Sequence, residues 1–81
     1  MMTKQVQVGG DVMRSKKAAD FVDLASRFNS SIYLEVGNRR INAKSIIGVL
    51  SMNLCDGDSV NVLINGDDEE LAMQQVAEYI I

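Results

Sequence analysis

One serine in this sequence occupies a position where a helix would favour a phosphate. Ser45 directly precedes the apolar run 46–50, so the pattern predicts that it is the N-cap of a helix. The first backbone N–H groups of a helix lack intrahelical partners and carry the positive end of the helix dipole, so they can bind a serine oxygen or a phosphate attached to it. Ile46, Ile47 and Leu50 would lie beside the hydroxyl on adjoining turns. Taken alone, the pattern favours the simpler interpretation that Ser45 only caps the helix.

The remaining reactive side chains do not form a catalytic set. The sequence contains no histidine and one cysteine, Cys55. Serine or cysteine hydrolase chemistry would lack its base, and Cys55 is expected to pack rather than to react. The acidic run 67–70 is better explained as charges that complement the dipole of a helix start than as a cation site. No set of metal ligands converges. We therefore expect neither a metal nor a cofactor, and we expect that the protein is not an enzyme.

Length and composition indicate one small intracellular domain. The chain has 81 residues, 47% of them hydrophobic, which is enough to close a single core, so we expect one domain over residues 1–81. No apolar run approaches the roughly 20 residues of a membrane span, and the polar start 2–5 does not resemble a signal peptide. A single cysteine cannot form an internal disulfide, which fits a reducing compartment. The sequence therefore predicts a cytoplasmic location.

Charge is distributed unevenly along the chain. Residues 1–44 contain all eight basic residues and four of the eleven acidic ones, whereas residues 45–81 contain the other seven acidic residues. Arg14, Lys16 and Lys17 fall at the start of a predicted helix, where each positive charge opposes the dipole at a cost of about 0.3–1 kcal/mol. Binding to an acidic partner surface would explain these cations. An ordinary solvated surface explains them equally well, and both interpretations remain open.

Alternating polar and apolar side chains predict the strands. The alternation runs over residues 3–8, 31–36 and 60–64, as in half-buried strands. Gly37-Asn38 is a glycine-first pair that favours a tight hairpin turn, which would lead into a further strand over residues 39–43. The two strands of this hairpin should pair antiparallel.

Helical spacing of apolar residues predicts three helices between and after these strands. One is expected over residues 15–28, a short one from Lys44-Ser45 onward, and a last one after the acidic run. The short helix has too many apolar positions for one buried stripe, so some of them should stay exposed. The element order β-α-β-β-α-β-α favours an α+β sandwich, with the helices on one face of an antiparallel sheet.

The stretch around Ser45 also resembles a known signature. Residues 42–51 read Asn-Ala-Lys-Ser-Ile-Ile-Gly-Val-Leu-Ser. They resemble the Asn-x-Lys-Ser-Ile-x-Gly-x-x-Ser motif of HPr, the small phosphocarrier of the bacterial sugar phosphotransferase system, in which this serine is the target of a regulatory kinase. The resemblance implies an HPr-like open-faced sandwich, a four-stranded antiparallel sheet in the order 1-4-2-3 with three helices packed on one side.

The sequence departs from the family at the phosphorylatable histidine. In the family that histidine opens a His-Ala-Arg-Pro-Ala motif, and its position falls on Arg14 in the segment Arg14-Ser15-Lys16-Lys17-Ala18. Phosphoryl relay at that position needs an imidazole nitrogen, so the phosphocarrier activity is excluded. Lys16 falls on the motif arginine, which in the family helps to engage partners.

Histidine-lacking members of the family, the catabolite-repression HPr proteins, suggest a regulatory function. They are phosphorylated only on the serine and then serve as corepressors of a LacI-type transcription regulator. By resemblance, an HPr-type serine kinase would phosphorylate Ser45, and the protein would act by docking in carbon catabolite regulation. The partner-binding residues would be Ile46, Ile47 and Leu50 as an apolar anchor, with Arg14 and Lys16 supplying charge.

A second hypothesis does not need phosphorylation. The chain would then be an HPr-fold adaptor or competitor that binds a metabolic enzyme or a phosphotransferase component in its unmodified form. Direct nucleic-acid binding is not expected, because the predicted strands offer few aromatic side chains and the net charge is −3. With no apolar run long enough for a membrane span, a membrane is not expected as a partner either.

Overall fold

The computed structural model describes residues 1–10 and 15–81. Within them, four strands and three helices follow the predicted element order. The four strands form one antiparallel sheet in the order β1-β4-β2-β3, which confirms the order implied by the resemblance. The elements are β1 (Met2–Gln7), α1 (Ser15–Ser26), β2 (Ser31–Val36), β3 (Arg39–Asn42), α2 (Ile46–Met52), β4 (Ser59–Asn65) and α3 (Glu69–Ile80).

The central strand β4 carries most of the sheet's buried side chains. Val60, Val62 and Ile64 alternate along it and are at most 1% exposed, so they face the core. The alternation fails at Leu63, which lies opposite Thr3 and Tyr33 on the neighbouring strands and is also buried. Side chains of both neighbouring strands flank a central strand, so even its outward face can be covered.

The helices cover one face of the sheet with small and aromatic residues. Ala18, Phe21 and Ala25 of α1 are fully buried, as the predicted stripe requires. The rings of Phe21 and Tyr79 lie 5.6 Å apart and connect α1 to α3. The helix α1 contacts both α2 and α3, and these contacts position α2 beside α1.

The first helix ends earlier than the pattern predicts. A helix over residues 15–28 was expected, but α1 ends at Ser26. The N–H groups of Arg27 and Phe28 donate to carbonyls three residues back, those of Leu24 and Ala25. The last turn therefore tightens, as is common at helix ends, and Phe28 remains in the core without being in the helix.

The hairpin between β2 and β3 has the predicted glycine-first turn. Gly37 has a φ of +58°, and Val36 pairs directly with Arg39 across the two-residue loop. A positive φ at this position favours glycine, so the sequence signal and the backbone agree.

The acidic run 67–70 was expected only to complement the dipole of the last helix, but one of its members also connects two loops. Glu69 and Glu70 lie in the first turn of α3, where the dipole favours them. Asp68 is the N-cap residue, but its side chain makes no capping bond. Its carboxylate instead accepts hydrogen bonds from Asn29 and Ser30 in the loop between α1 and β2.

In the described part of the chain, every helix is too short or too polar to cross a membrane.

Candidate regulatory serine site

Three hydrogen bonds fix the backbone that leads from β3 to α2. The N–H of Ala43 donates to the carbonyl of Ile32 at 2.9 Å, and Ala43 is fully buried. The N–H of Lys44 donates to the Asn42 side-chain oxygen at 2.9 Å. The N–H of Ser45 donates to the Asn42 carbonyl at 3.0 Å. The segment 43–45 that leads into the helix is therefore held by both strands of the hairpin.

Ser45 is the N-cap of α2, as the sequence predicts. Its backbone is extended, with φ −109° and ψ 115°, and its hydroxyl oxygen accepts a hydrogen bond from the Gly48 N–H at 3.2 Å. The residue is exposed. The geometry thus combines a capping oxygen with access from solvent.

Gly48 leaves room beside this hydroxyl. A Cβ at Gly48 would lie 3.4 Å from the Ser45 hydroxyl oxygen and 3.4 Å from the Cβ of Ile41. Contacts of that length are close to the limit of van der Waals packing. A methyl group at this position would therefore fit in van der Waals contact with Ser45 and Ile41, and Gly48 leaves that space beside the hydroxyl unfilled.

Three apolar side chains of α2 face solvent around this cap. The exposed fractions are 37% for Ile46, 78% for Ile47 and 46% for Leu50, whereas Val49 is fully buried. We call Ile46, Ile47 and Leu50 the α2 apolar patch. The expectation that some apolar positions of this helix stay exposed is confirmed. Apolar side chains that cluster on a surface commonly mark an interaction site.

The other serine of the signature is held by an arginine that sequence reasoning did not single out. Arg39 donates from its guanidinium to the Ser51 carbonyl at 3.1 Å and to the Ser51 hydroxyl at 3.0 Å. The Ser51 hydroxyl donates to the Gly48 carbonyl at 2.7 Å. Arg39 thereby connects β3 to the last turn of α2. Its partner lies twelve residues away, and no local pattern reports such a contact.

Lys44 is a second residue whose role the sequence analysis missed. Its ammonium donates to the carbonyl of Phe28 at 2.7 Å, and the residue is half-buried. From the sequence, Lys44 was expected as one of the basic residues that precede Ser45 and as the start of the short helix. The structure instead connects it to the loop that follows α1.

Two of the predicted cationic residues lie at the start of α1. Lys16 and Lys17 are exposed in its first turn. Since α1 packs against α2, the elements that carry Lys16 and the α2 apolar patch are neighbours. Arg14 lies outside the described residues, so its role stays a prediction.

Cys55 lies in the loop between α2 and β4. It is half-buried, and its sulfur lies 3.6 Å from the Asn53 carbonyl. Over residues 1–10 and 15–81, the acidic and cysteine side chains form no cluster that could hold a metal ion.

Comparisons with known proteins agree with this architecture. Residues 10–81 match the family model described as the PTS HPr component phosphorylation site. The HPr-like protein Crh of Bacillus subtilis is 37% identical over 68 residues, which cover 84% of this chain and 80% of that protein. The HPr-like protein Crh of Halalkalibacterium halodurans is 36% identical, with 99% of this chain and 96% of that protein covered. The crystal structure of the phosphocarrier protein HPr from Bacillus anthracis superposes with a TM-score of 0.93 at 33% identity, covering 99% of this chain and 96% of that one.

Proposed function

This chain belongs to the HPr family, and we propose that within it the chain is a non-catalytic regulatory protein that is phosphorylated on Ser45. It acts in the cytoplasm by docking to other proteins in carbon catabolite regulation. Its similarity to HPr-like Crh proteins over most of its length supports the regulatory part of this proposal.

The observation that carries the proposal is that Ser45 is an exposed residue, at the N-cap of the helix that carries the α2 apolar patch. A kinase can reach this hydroxyl from solvent while it contacts Ile47, which is 78% exposed. A phosphate there adds about −1.5 to −2 charges beside the N-terminal N–H groups of α2. Because a helix start tolerates negative charge, the phosphate changes what the surface binds and leaves the fold intact.

The missing histidine supports a function other than phosphoryl relay. The sequence contains no histidine, and Arg14 occupies the corresponding position. A guanidinium offers no nucleophile comparable to an imidazole nitrogen. Lys16 keeps the positive charge of the family's motif arginine but lacks its planar fork, so it would attract an acidic surface without bidentate contacts.

Two kinds of partner follow from the proposal. An HPr-type serine kinase transfers the phosphoryl group. A LacI-type transcription regulator then binds the phosphorylated form through the α2 apolar patch, the phosphate, and the charges of Arg14 and Lys16.

Phosphorylation can be tested with an HPr-type serine kinase and ATP, followed by measurement of the intact mass. We expect the wild-type chain to gain one phosphate and Ser45→Ala to gain none. Ser51→Ala is the matched control, because Ser51 is the other serine of the signature, and it should be modified like the wild type. An unmodified wild-type chain, or a phosphate that persists in Ser45→Ala, would contradict the proposal.

The exposure of Ile47 also favours a second candidate function, binding without phosphorylation. An adaptor that binds a metabolic enzyme or a phosphotransferase component would use the α2 apolar patch alone. Its binding would be the same in Ser45→Ala and Ser45→Asp and would be lost in Ile47→Asp. A regulator that reads phosphate would instead distinguish the wild type from Ser45→Ala after kinase treatment.

A further inference from the structure

Lys44 directly precedes Ser45, yet its charge is already engaged elsewhere. The ammonium donates to the Phe28 carbonyl at 2.7 Å, and the residue is half-buried. Phe28 lies just past the end of α1 and is 8% exposed. The side chain of Lys44 therefore extends from the entry of α2 to the end of a different helix.

The end of α1 is an environment that favours a nearby cation. The C-terminal end of a helix carries partial negative charge on carbonyls that lack intrahelical partners. The last turn of α1, within Ser15–Ser26, contains no basic residue of its own. The ammonium of Lys44 binds a carbonyl two residues past this end, and a charge-assisted hydrogen bond of this kind is stronger than a neutral one.

The same residue is the backbone link between two anchored positions. The N–H of Lys44 is bound to the Asn42 side chain, and the next N–H, of Ser45, is bound to the Asn42 carbonyl. One step further, the Ser45 hydroxyl accepts from Gly48. Any displacement of Lys44 would thus be passed directly to the hydroxyl of Ser45.

We propose that Lys44 is a positioning residue for phosphorylation of Ser45: it anchors the entry of α2 to the end of α1 and so holds the hydroxyl in its cap geometry. Its ammonium does not serve as the kinase's contact or as the partner of the phosphate. This inference rests on the proposed function. In the step concerned, the Ser45 oxygen bonds to the γ-phosphorus of ATP. The bond from that phosphorus to the leaving ADP oxygen breaks, and the hydroxyl proton passes to a base of the kinase.

The kinetics of phosphorylation by an HPr-type serine kinase separate positioning from direct contact. Lys44→Met removes the ammonium and keeps an unbranched stem. A misplaced hydroxyl lowers the rate of transfer more than it lowers binding, so we expect kcat to fall about tenfold with KM within about twofold of the wild type. Lys44→Arg can still donate to the Phe28 carbonyl and should recover most of kcat. Lys4→Met, an exposed lysine on β1, is the matched control and should behave like the wild type.

Amide hydrogen exchange measured by NMR tests the anchor without any kinase. In Lys44→Met, the amides of Ser45 and Gly48 should exchange at least about fivefold faster than in the wild type, because the entry of α2 opens more often. Lys4→Met should leave both rates unchanged. Should Lys44→Met fail to fold, Lys44→Gln, which stays polar at this half-buried position, takes its place in both experiments.

Two results would overturn the inference. Exchange rates in the Lys44 variant equal to those of the wild type would show that no anchor exists. An increase in KM at constant kcat would show that the kinase contacts the ammonium directly. A wild-type chain that the kinase does not modify would refute the proposed function, and the exchange rates would then decide the anchoring role alone.

Discussion

The carboxylate of Asp68 shows how one side chain joins two distant loops. It accepts hydrogen bonds from the Ser30 hydroxyl at 2.5 Å, the Asn29 N–H at 2.9 Å and the Ser30 N–H at 3.0 Å. The Ser30 hydroxyl contributes most to lowering the pKa of Asp68, followed by the Asn29 N–H, while burial acts in the opposite direction. The folded state therefore favours the charged carboxylate.

This lowered pKa makes stability depend on pH through Asp68. The charged carboxylate stabilises the fold above its ordinary pKa of 3.8, and the stabilisation is lost as the pH falls below that value toward the folded-state pKa. In urea unfolding, Asp68→Asn should therefore be less stable than the wild type by a constant amount above about pH 5, and the difference should shrink toward about pH 3.

Asp67→Asn is the control for this titration, since Asp67 is the exposed neighbour on the same turn. Its stability should differ little from that of the wild type, because its side chain is exposed. If the deficit of Asp68→Asn stays unchanged down to the lowest pH, the hydrogen-bonded carboxylate is not its cause.

At the residue scale, the sequence predicts roles that depend on neighbouring residues in the chain. The capping role of Ser45 follows from the apolar run that begins directly after it, so it could be predicted. The contacts of Asp68 with Asn29 and of Lys44 with Phe28 join residues 39 and 16 positions apart. They depend on how the loops meet in the fold, and no spacing in the sequence reports them.

At the scale of one element, α2 divides its apolar residues between the core and the surface. Val49 is fully buried, whereas Ile47 is 78% exposed two residues earlier. A helix of seven residues offers little more than one buried position per turn. The apolar composition therefore predicts exposed residues, although only the packing against α1 and β3 determines which ones.

This division can be measured as free energy of unfolding. Val49→Ala leaves a cavity in the core and should cost about 2 kcal/mol. Ile47→Ala removes a solvent-facing side chain and should change the stability by less than about 0.5 kcal/mol. Urea unfolding of both variants gives the two values, and an equal loss in Ile47→Ala would mean that the α2 apolar patch is part of the core.

The end of α1 is a helix boundary that the periodicity of apolar residues does not predict. The apolar stripe of α1 continues to Phe28, but the helix ends at Ser26 because the following backbone turns more tightly. Periodicity reports which side chains are buried, and Phe28 is buried as expected. It does not report whether the backbone that carries them is still helical.

At the scale of the whole molecule, the sheet order separates two groups of helix contacts. The helix α3 packs on β1 and β4, and α2 packs on β3 at the other end of the sheet. The helix α1 contacts both of them. Element types followed from periodicity, whereas the strand order followed from the resemblance, because alternation alone does not specify which strands pair.

This arrangement makes neighbours of the two helices that carry the residues of the proposed function. Ser45, the α2 apolar patch and the start of α1 belong to two helices that pack against each other. Tyr79 of α3 donates from its hydroxyl to the Lys17 carbonyl at 2.7 Å and so holds the first turn of α1 from the opposite side. The first turn of α1, which carries Lys16 and Lys17, is therefore anchored to α3.

The most direct test of the central claim is the affinity of a LacI-type transcription regulator for this protein with and without a phosphate on Ser45. We expect calorimetric titration to give a Kd at least about tenfold lower for the phosphorylated chain, because a phosphoserine adds charge-assisted hydrogen bonds to the apolar contact. Ile47→Asp should weaken binding of the phosphorylated form. Equal Kd values for the two forms would contradict the account.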